Sequence, residues 1–313
     1  MTRTVRLLVS ILLLSIAAVW MLPAEAAAAG KTIGVVMTGN ILYYKDIHKA
    51  FSEGLAAEGR SPGSVEVVLR TPAPEPMSWT NAVRKLVNIG AHVIVTCGAP
   101  ATMTAMAETS DLPIVFAGVC DPKELGIPGK NAAGISSTVP VASLVKNLKT
   151  IANFSDLGVV YRTTGKDTVL QANDIARPGP TYSYRSTKFN VRKPEDMAKI
   201  SNIDAVFLTT GCAAMPCVTN IISTVRKAKI PTASTIGGGE QSGIILTLSP
   251  NPQAQGREAA KMTARVVRGE DPSSIALVQP KKIDLIINLK ETTDMGLKVP
   301  FDLLTSAATR VIK

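Results

Sequence analysis

The most reactive side chains in this sequence are the thiols of its four cysteines. Cys97, Cys120 and Cys212 each directly follow a predicted strand, and Cys217 comes five residues after Cys212 with Met215 between them. Disulfides Cys97–Cys120 and Cys212–Cys217 are one interpretation, because each pair can meet at neighbouring strand ends or across a short loop. Three alternatives stay open: a soft-metal site of thiolates and Met215, a thiol-redox pair of Cys212 and Cys217, and free buried side chains.

A second group of candidates is polar and lies in loops that follow predicted strands. Arg162 can pair a carboxylate or phosphate at two points, although a solvated surface arginine is the simpler reading. Pro100 opens a predicted helix after a loop of small residues, and free N–H groups at a helix start bind anions, although every helix has such a start. The candidate ligand-binding residues in these loops are Thr38, Asn40, Gly98, Pro100, Ala101, Thr102, Asp121, Arg162, Thr163, Thr164, Gly211, Cys212 and Glu240.

Catalytic patterns are absent from the sequence. His48 and His92 are the only histidines, and neither has an identifiable serine or cysteine partner. The chain contains no G-x-S-x-G elbow and no H-E-x-x-H pair. We therefore expect a binding protein rather than an enzyme, and no cofactor.

The elements that must position these residues follow an α/β rhythm. Short apolar runs alternate with amphipathic stretches, which indicates parallel sheets covered by helices. Strands are predicted at 33–37, 65–69, 92–96, 114–119, 157–161, 182–190, 205–209, 231–234 and 244–248, and helices at 44–58, 79–88, 101–108, 167–175, 219–229 and 253–268. The pattern restarts after about residue 157, so two lobes are expected, with the loops at their strand ends facing each other across a crevice.

The first residues have the layout of a secretory signal. Arg3 and Arg6 precede an apolar stretch from Leu7 to Leu22, and Ala24-Glu25-Ala26 supplies small residues for cleavage. We expect residues 1–26 to be removed and the protein to be periplasmic, although a retained membrane anchor is the alternative. An oxidising compartment favours the disulfide interpretation of the cysteines.

Charge and aromatic content limit the class of partner. The formal net charge is +10, but the positive residues are spread along the chain and aromatic residues make up only 4% of it. A nucleic-acid partner is therefore not expected, and an anionic ligand, a membrane surface or an acidic partner fits better. Trp79 is the only tryptophan after the signal and falls on a predicted helix, which argues against a sugar carrier. Tyr43 and Tyr44 could cover a flat ligand or lie on the lobe surface.

Several longer motifs together carry a family resemblance. They are 111–116 leading to Asp121-Pro122, 134–136 leading to Val139-Pro140, 228–231, 256–257 through 268–270, and the tail 286–290 with 295–297 and 299–300. In this order the chain from about Thr32 to its end resembles the periplasmic substrate-binding proteins of ABC transporters. The resemblance is to the branch that includes tryptophan and tyrosine binders.

The resemblance implies two Rossmann-like lobes joined by crossing hinge strands that close over a small anionic or zwitterionic ligand. We expect residues 27–138 and 250–270 in lobe 1, and residues 139–249 and 271–313 in lobe 2. The implied partner is an ABC permease in the inner membrane, with the protein itself a monomer. A sensory protein that presents its ligand to a receptor is an alternative.

The chain departs from that family in two loops. Relatives that bind amino acids tend to carry an Asn-Pro-x-x-x-Asn-like loop where this chain has the segment from Arg162 to Asp167. They also tend to have an acidic residue, for the α-amino group, after the strand that ends near Thr209. Here Gly211 and Cys212 follow, which argues against a plain amino-acid ligand.

Overall fold

The computed structural model describes residues 30–59, 65–127, 131–193, 195–196, 200–210, 218–237, 243–306 and 309–313. The expected signal at 1–26 lies outside these residues. Among the helices of the described ranges, none has the length and apolar character needed to cross a membrane.

The first lobe is built on a five-stranded parallel sheet with the order β2-β1-β3-β4-β5. Its central strands are buried on both faces, which explains their nearly continuous apolar runs. Its elements in chain order are β1 Lys31–Met37, α1 Leu42–Ala57, β2 Val65–Arg70, α2 Pro76–Asn88, β3 Val93–Cys97, α3 Ala99–Glu108, β4 Ile114–Val119 and β5 Ala132–Ser136.

The second lobe has a seven-stranded sheet with the order β12-β11-β10-β9-β8-β6-β7, and among its described strand pairs only β10–β11 is antiparallel. The described elements run from α4 Val141–Ile151 and β6 Asp156–Tyr161 to α5 Lys166–Ala176, α6 Gly179–Tyr182, β7 Arg185–Asn190, β8 Ala205–Leu208, α7 Val218–Lys227, β9 Thr232–Ser234 and β10 Leu246–Pro250. After the helix that returns to the first lobe come β11 Ile283–Asn288, α9 Leu289–Asp294, α10 Phe301–Thr305 and β12 Thr309–Ile312.

The chain crosses between the lobes three times. It leaves the first sheet after β5, and it returns after β10 through α8, Pro252–Val267, which packs against α1. Asn251 caps α8 by accepting a hydrogen bond from the Ala254 N–H at 3.0 Å, and Pro252 is well suited to the first helical position. The last crossing precedes β11. Fold class and two-lobe architecture therefore agree with the sequence-based prediction.

The last crossing lies further along the chain than the predicted boundary at residue 270. The segment from Pro272 to Val278 packs on the first lobe, where the Ser136 N–H donates to the Val278 carbonyl at 2.8 Å. Ile275 is buried in the core of the first lobe, which explains why the chain stays there. Leu277 packs against the core on the other face of the same sheet.

Candidate functional site

A cavity of about 220 Å³ lies between the two lobes, at the carboxyl ends of strands of both sheets. This is the position at which open α/β sheets bind ligands. The cavity is smaller than sites for drug-sized ligands, which measure about 300–1,000 Å³. The described residues that line it are Thr38, Pro74, Pro76, Trp79, Pro100, Met103 and Thr104 from the first lobe, and Arg162, Thr164, Gly165, Lys166, Asp167 and Thr168 from the second.

Thr38 organises the wall that the first lobe contributes. Its N–H donates to the Cys97 carbonyl at 2.9 Å, which joins the ends of β1 and β3. Its carbonyl accepts the Trp79 Nε1–H at 2.9 Å, and its Oγ1 accepts the Ala101 N–H at 3.2 Å. These bonds hold the indole beside the prolines and Met103, so the first-lobe wall is largely apolar.

The start of α3 is less open to an anion than the sequence suggests. Ala99, Pro100 and Ala101 are the first three residues of the helix. Pro100 has no N–H, and the Ala101 N–H already donates to Thr38. Two of the first three positions are thus not available to a ligand, and the expected anion site at this helix start lacks support.

The second-lobe wall is a tight turn between β6 and α5. The Gly165 N–H donates to the Arg162 carbonyl at 3.2 Å, and Thr168 Oγ1 donates to the same carbonyl at 2.6 Å. Thr168 Oγ1 also accepts the Arg162 N–H at 3.2 Å. The Thr163 N–H donates to Asn190 Oδ1 at 3.2 Å, which ties the turn to β7. The turn therefore presents polar groups on a braced backbone.

Asp167 is a buried carboxylate in this wall, with only 5% of its surface exposed. Thr210 Oγ1 donates to Asp167 Oδ2 at 3.2 Å. Burial raises the pKa of Asp167, and the hydrogen bonds from the Thr210 side chain and from the backbone N–H groups of Asp167 and Thr168 oppose the rise. In the part of the chain that the structure describes, the groups that donate to this carboxylate are neutral.

Asp167 also acts across the cleft. Burial raises the pKa of Tyr44 and of Cys120, both in the first lobe, and the charge of Asp167 adds to each rise. In the sequence, Gly211 follows Thr210 at the position where relatives that bind amino acids tend to have an acidic residue. The structure brings the carboxylate of Asp167 next to Thr210 from another element, so an acidic group is present at this end of β8 after all.

A second carboxylate contact joins the lobes beside the cavity. Asp121 has a left-handed backbone with φ of 47°, and its N–H donates to Thr138 Oγ1 at 3.0 Å. Asp174 of α5 meets Asp121 across the interface: burial raises the pKa of Asp174, Asp121 raises it further, and Arg177 lowers it. Asp121 thus lies at the lobe interface but does not line the cavity.

The described cysteines do not form the proposed Cys97–Cys120 bridge: both are buried free thiols. The register of the first sheet pairs Cys97 with Ala117, so Cys120 lies three residues further along the chain, just past the end of β4. The Cys120 Sγ instead points to the Ser137 carbonyl at 3.7 Å. Cys212, Met215 and Cys217 lie outside the described residues. The disulfide, soft-metal and redox hypotheses that involve them therefore stay predictions.

Of the ten candidate residues that the structure describes, four line the cavity: Thr38, Pro100, Arg162 and Thr164. Gly98, Ala101 and Thr102 are buried behind it, and Thr102 Oγ1 donates to the Gly98 carbonyl at 2.8 Å. Asn40 and Thr163 are exposed and are not part of the lining. The remaining candidates outside the described residues are Gly211, Cys212 and Glu240.

Sequence reasoning missed Trp79 and Asp167. Trp79 falls on a predicted helix, and in the structure it lines the cavity with its indole bonded to the Thr38 carbonyl. Asp167 was visible as an acidic residue at a helix start but was not singled out. Tyr43 and Tyr44 were expected over the ligand or on the surface; both predictions are wrong, because these side chains are 3% and 2% exposed in the first-lobe core.

Comparison with known proteins identifies the class to which this fold and cavity belong. Residues 32–311 match the family described as ABC transporter substrate binding protein, and the chain belongs to this family. Its members are solute-binding proteins rather than enzymes. The resemblance drawn from the sequence motifs is thereby confirmed.

Individual relatives share about a fifth of the sequence. A tyrosine-binding protein of Clostridioides difficile is 22% identical over 256 residues, which are 77% of this chain and 73% of the relative. A solved ABC domain from Streptococcus pneumoniae in complex with L-Trp has a TM-score of 0.85 at 20% identity, covering 90% of this chain and all of that one. A ligand-free, open substrate-binding protein from Clostridium difficile has a TM-score of 0.65 at 19% identity, covering 90% of this chain and 99% of that one.

Proposed function

We propose that this protein is the periplasmic solute-binding component of an ABC transporter and that it closes by a hinge around a small amino-acid-like ligand. The observation that carries the proposal is the cavity whose walls come from both lobes. A ligand that touches both walls favours the closed form, because it gains contacts there that the open form does not offer.

The two walls differ in chemistry, which supports an amphipathic ligand. The first-lobe wall offers Trp79, Met103 and three prolines, and these suit an apolar or aromatic group. The second-lobe wall offers Arg162, Lys166 and Asp167, and these suit charged groups of both signs. An aromatic amino acid has this division, and the tyrosine and L-Trp named for two relatives support the same class.

The arrangement of the lobes supports hinge closure. The structure is more similar to the relative in complex with L-Trp than to the ligand-free, open relative, with TM-scores of 0.85 and 0.65. Both comparisons cover 90% of this chain. The three crossings at the lobe boundary are the natural positions for the hinge, because strand ends can absorb backbone rotation there.

A thermal-shift screen of the protein from Ala27 onward tests the proposal. We expect aromatic amino acids to raise the melting temperature in a concentration-dependent way, while other amino acids, organic acids and nucleosides give smaller shifts. Trp79→Ala should reduce the shift, whereas Asn40→Ala, at an exposed position outside the lining, should leave it unchanged. Absence of any shift across the library would contradict the proposal.

Closure and transport need separate measurements. Small-angle scattering should report a smaller radius of gyration when the stabilising ligand is added. Deleting the gene should reduce cellular uptake of that ligand. Intact uptake combined with tight binding would favour the sensory protein over the transport component.

A further inference from the structure

The buried carboxylate of Asp167 is the most unusual group in the cavity, because it is 5% exposed and its donors among the described residues are neutral. A buried charge is costly unless an opposite charge or enough hydrogen bonds compensate it. A carboxylate offers about four acceptor positions. Among the described residues, the Thr210 hydroxyl donates to Asp167 Oδ2 at 3.2 Å, and the backbone N–H groups of Asp167 and Thr168 also lower the pKa of the carboxyl. The carboxylate thus keeps acceptor capacity for a group in the cavity.

A network behind Asp167 fixes the direction of these bonds. Gln171 Nε2 donates to Thr210 Oγ1 at 2.5 Å, so the hydroxyl hydrogen of Thr210 is left to donate to Asp167 Oδ2. Gln171 Oε1 accepts from the Thr210 N–H at 3.0 Å and from Thr235 Oγ1 at 3.3 Å. All three supporting side chains are buried. The carboxylate is therefore held in place before any ligand arrives.

We propose that Asp167 binds the ammonium group of the ligand and that it makes the protein select amines over carboxylic acids that lack one. The inference deepens the proposed function and rests on it. An ammonium group has three donors and a full positive charge, so it donates to the buried carboxylate and neutralises its charge.

Other charged groups near Asp167 are compatible with this role. Arg162 and Lys166 line the same cavity and suit the carboxylate of a zwitterion. Lys166 is exposed whereas Asp167 is buried, so the two charges lie in different surroundings. Asp174 of the same helix is paired with Arg177 at 2.8 Å. Asp167 is thus the acidic group available to a ligand among the described cavity residues.

Two matched sets of probes test the proposal by isothermal titration calorimetry. One set is L-tyrosine, tyramine and 3-(4-hydroxyphenyl)propionate, and the other is L-tryptophan, tryptamine and indole-3-propionate. Within each set, the second compound lacks the carboxylate of the amino acid, and the third compound lacks its amine. The wild-type protein should bind the amino acid at least about tenfold more tightly than the acid without an amine, since hydrogen bonds to charged groups are among the stronger ones.

The variant Asp167→Asn keeps the shape and removes the charge. It should weaken binding of the amino acid and the amine by about 10- to 100-fold, and leave the acid without an amine within about threefold. Asp302→Asn, the same change at an exposed position outside the cavity lining, should leave binding of every probe unchanged. Circular dichroism of each variant reports whether it folds. If a variant does not fold, the preference of the wild-type protein for the amino acid over the acid without an amine still tests the proposal.

Each result decides between distinct conclusions. If the wild-type protein binds the acid without an amine as tightly as the amino acid, the role of Asp167 is refuted while the binding function stands. An equal loss for all members of a set in Asp167→Asn also refutes it. If none of the six probes binds, the proposed ligand class fails and the role of Asp167 fails with it.

Discussion

Replacing Gly98 with alanine should destabilise the protein and weaken ligand binding, because an added side chain would collide with Thr38, which holds the first-lobe wall in place. The backbone of Gly98 has φ of 95° and ψ of 155°. This region is essentially restricted to glycine. An added Cβ would lie 2.5 Å from Thr38 Oγ1 and 2.5 Å from Tyr44 Oη. Both oxygens are buried, and Thr38 holds the indole of Trp79.

Two costs add at this position. The backbone conformation costs about 1–3 kcal/mol for a residue with a side chain. The crowding costs about another 1–3 kcal/mol, since Thr38 and Tyr44 must shift within a packed region. Together they amount to about 2–6 kcal/mol, a large part of the 5–15 kcal/mol that is typical of a folded protein.

Gly90→Ala is the matched control. Gly90 has φ of 75°, but an added Cβ would meet no atom within 4 Å. This variant carries a backbone cost of about 1–2 kcal/mol and no crowding. The difference between the two variants therefore contains the crowding around Gly98 together with the difference between the two backbone costs.

Thermal unfolding followed by circular dichroism measures that difference. Each kcal/mol shifts the melting temperature of a chain of this size class by about 2–4 °C, so Gly98→Ala should melt at least about 2 °C below Gly90→Ala. Its affinity for the stabilising ligand should also fall, while that of Gly90→Ala should not. Equal melting temperatures for both variants would refute the reasoning from the packing around Gly98.

Three further predictions concern other buried positions. Gly256→Ala should lower the melting temperature despite a helix-propensity gain of about 1 kcal/mol, because its Cβ would lie 2.8 Å from the Phe51 nitrogen in α1; a rise would contradict this packing. Burial raises the pKa of Cys97 to about 12 and that of Cys120 well above its usual range, so mass spectrometry should find both unmodified by iodoacetamide at pH 8 until urea is added. Burial also raises the pKa of Asp167 above its unfolded value of about 3.9, so its charge lowers the stability of the ligand-free protein at neutral pH. Asp167→Asn should therefore be the more stable at pH 7, with an advantage that shrinks as the pH falls towards 4; a constant difference in melting temperature would argue against it.

Much of the fold could be predicted because apolar runs report burial directly. β1, β3 and β4 are buried on both faces, and their sequences are correspondingly continuous in apolar residues. β5 was missed, because Ala132–Ser136 consists mainly of small residues with weak strand preference. The strand predicted from Tyr182 begins only at Arg185, since Gly179–Tyr182 forms a short helix.

The candidate site was predictable only in part. Thr38, Pro100 and Arg162 follow strands, so their position in the sequence was enough to bring them to the cavity. Trp79 and Asp167 lie within helices, where sequence patterns do not tell which side faces a neighbouring lobe. The anion site expected at the start of α3 depended on N–H groups whose partner, Thr38, is more than 60 residues away in the chain.

The sequence by itself determined the α/β architecture, the family and the loops from which a ligand could be held. These follow from interactions between residues close together in the chain and from motifs in a fixed order. The tertiary structure decided which side chains meet: Trp79 contacts Thr38 across 41 residues, and Asp167 contacts Thr210 across 43. The cost of a buried carboxylate depends on such distant partners, and the chemistry of the cavity therefore emerges only when both lobes are folded and in contact.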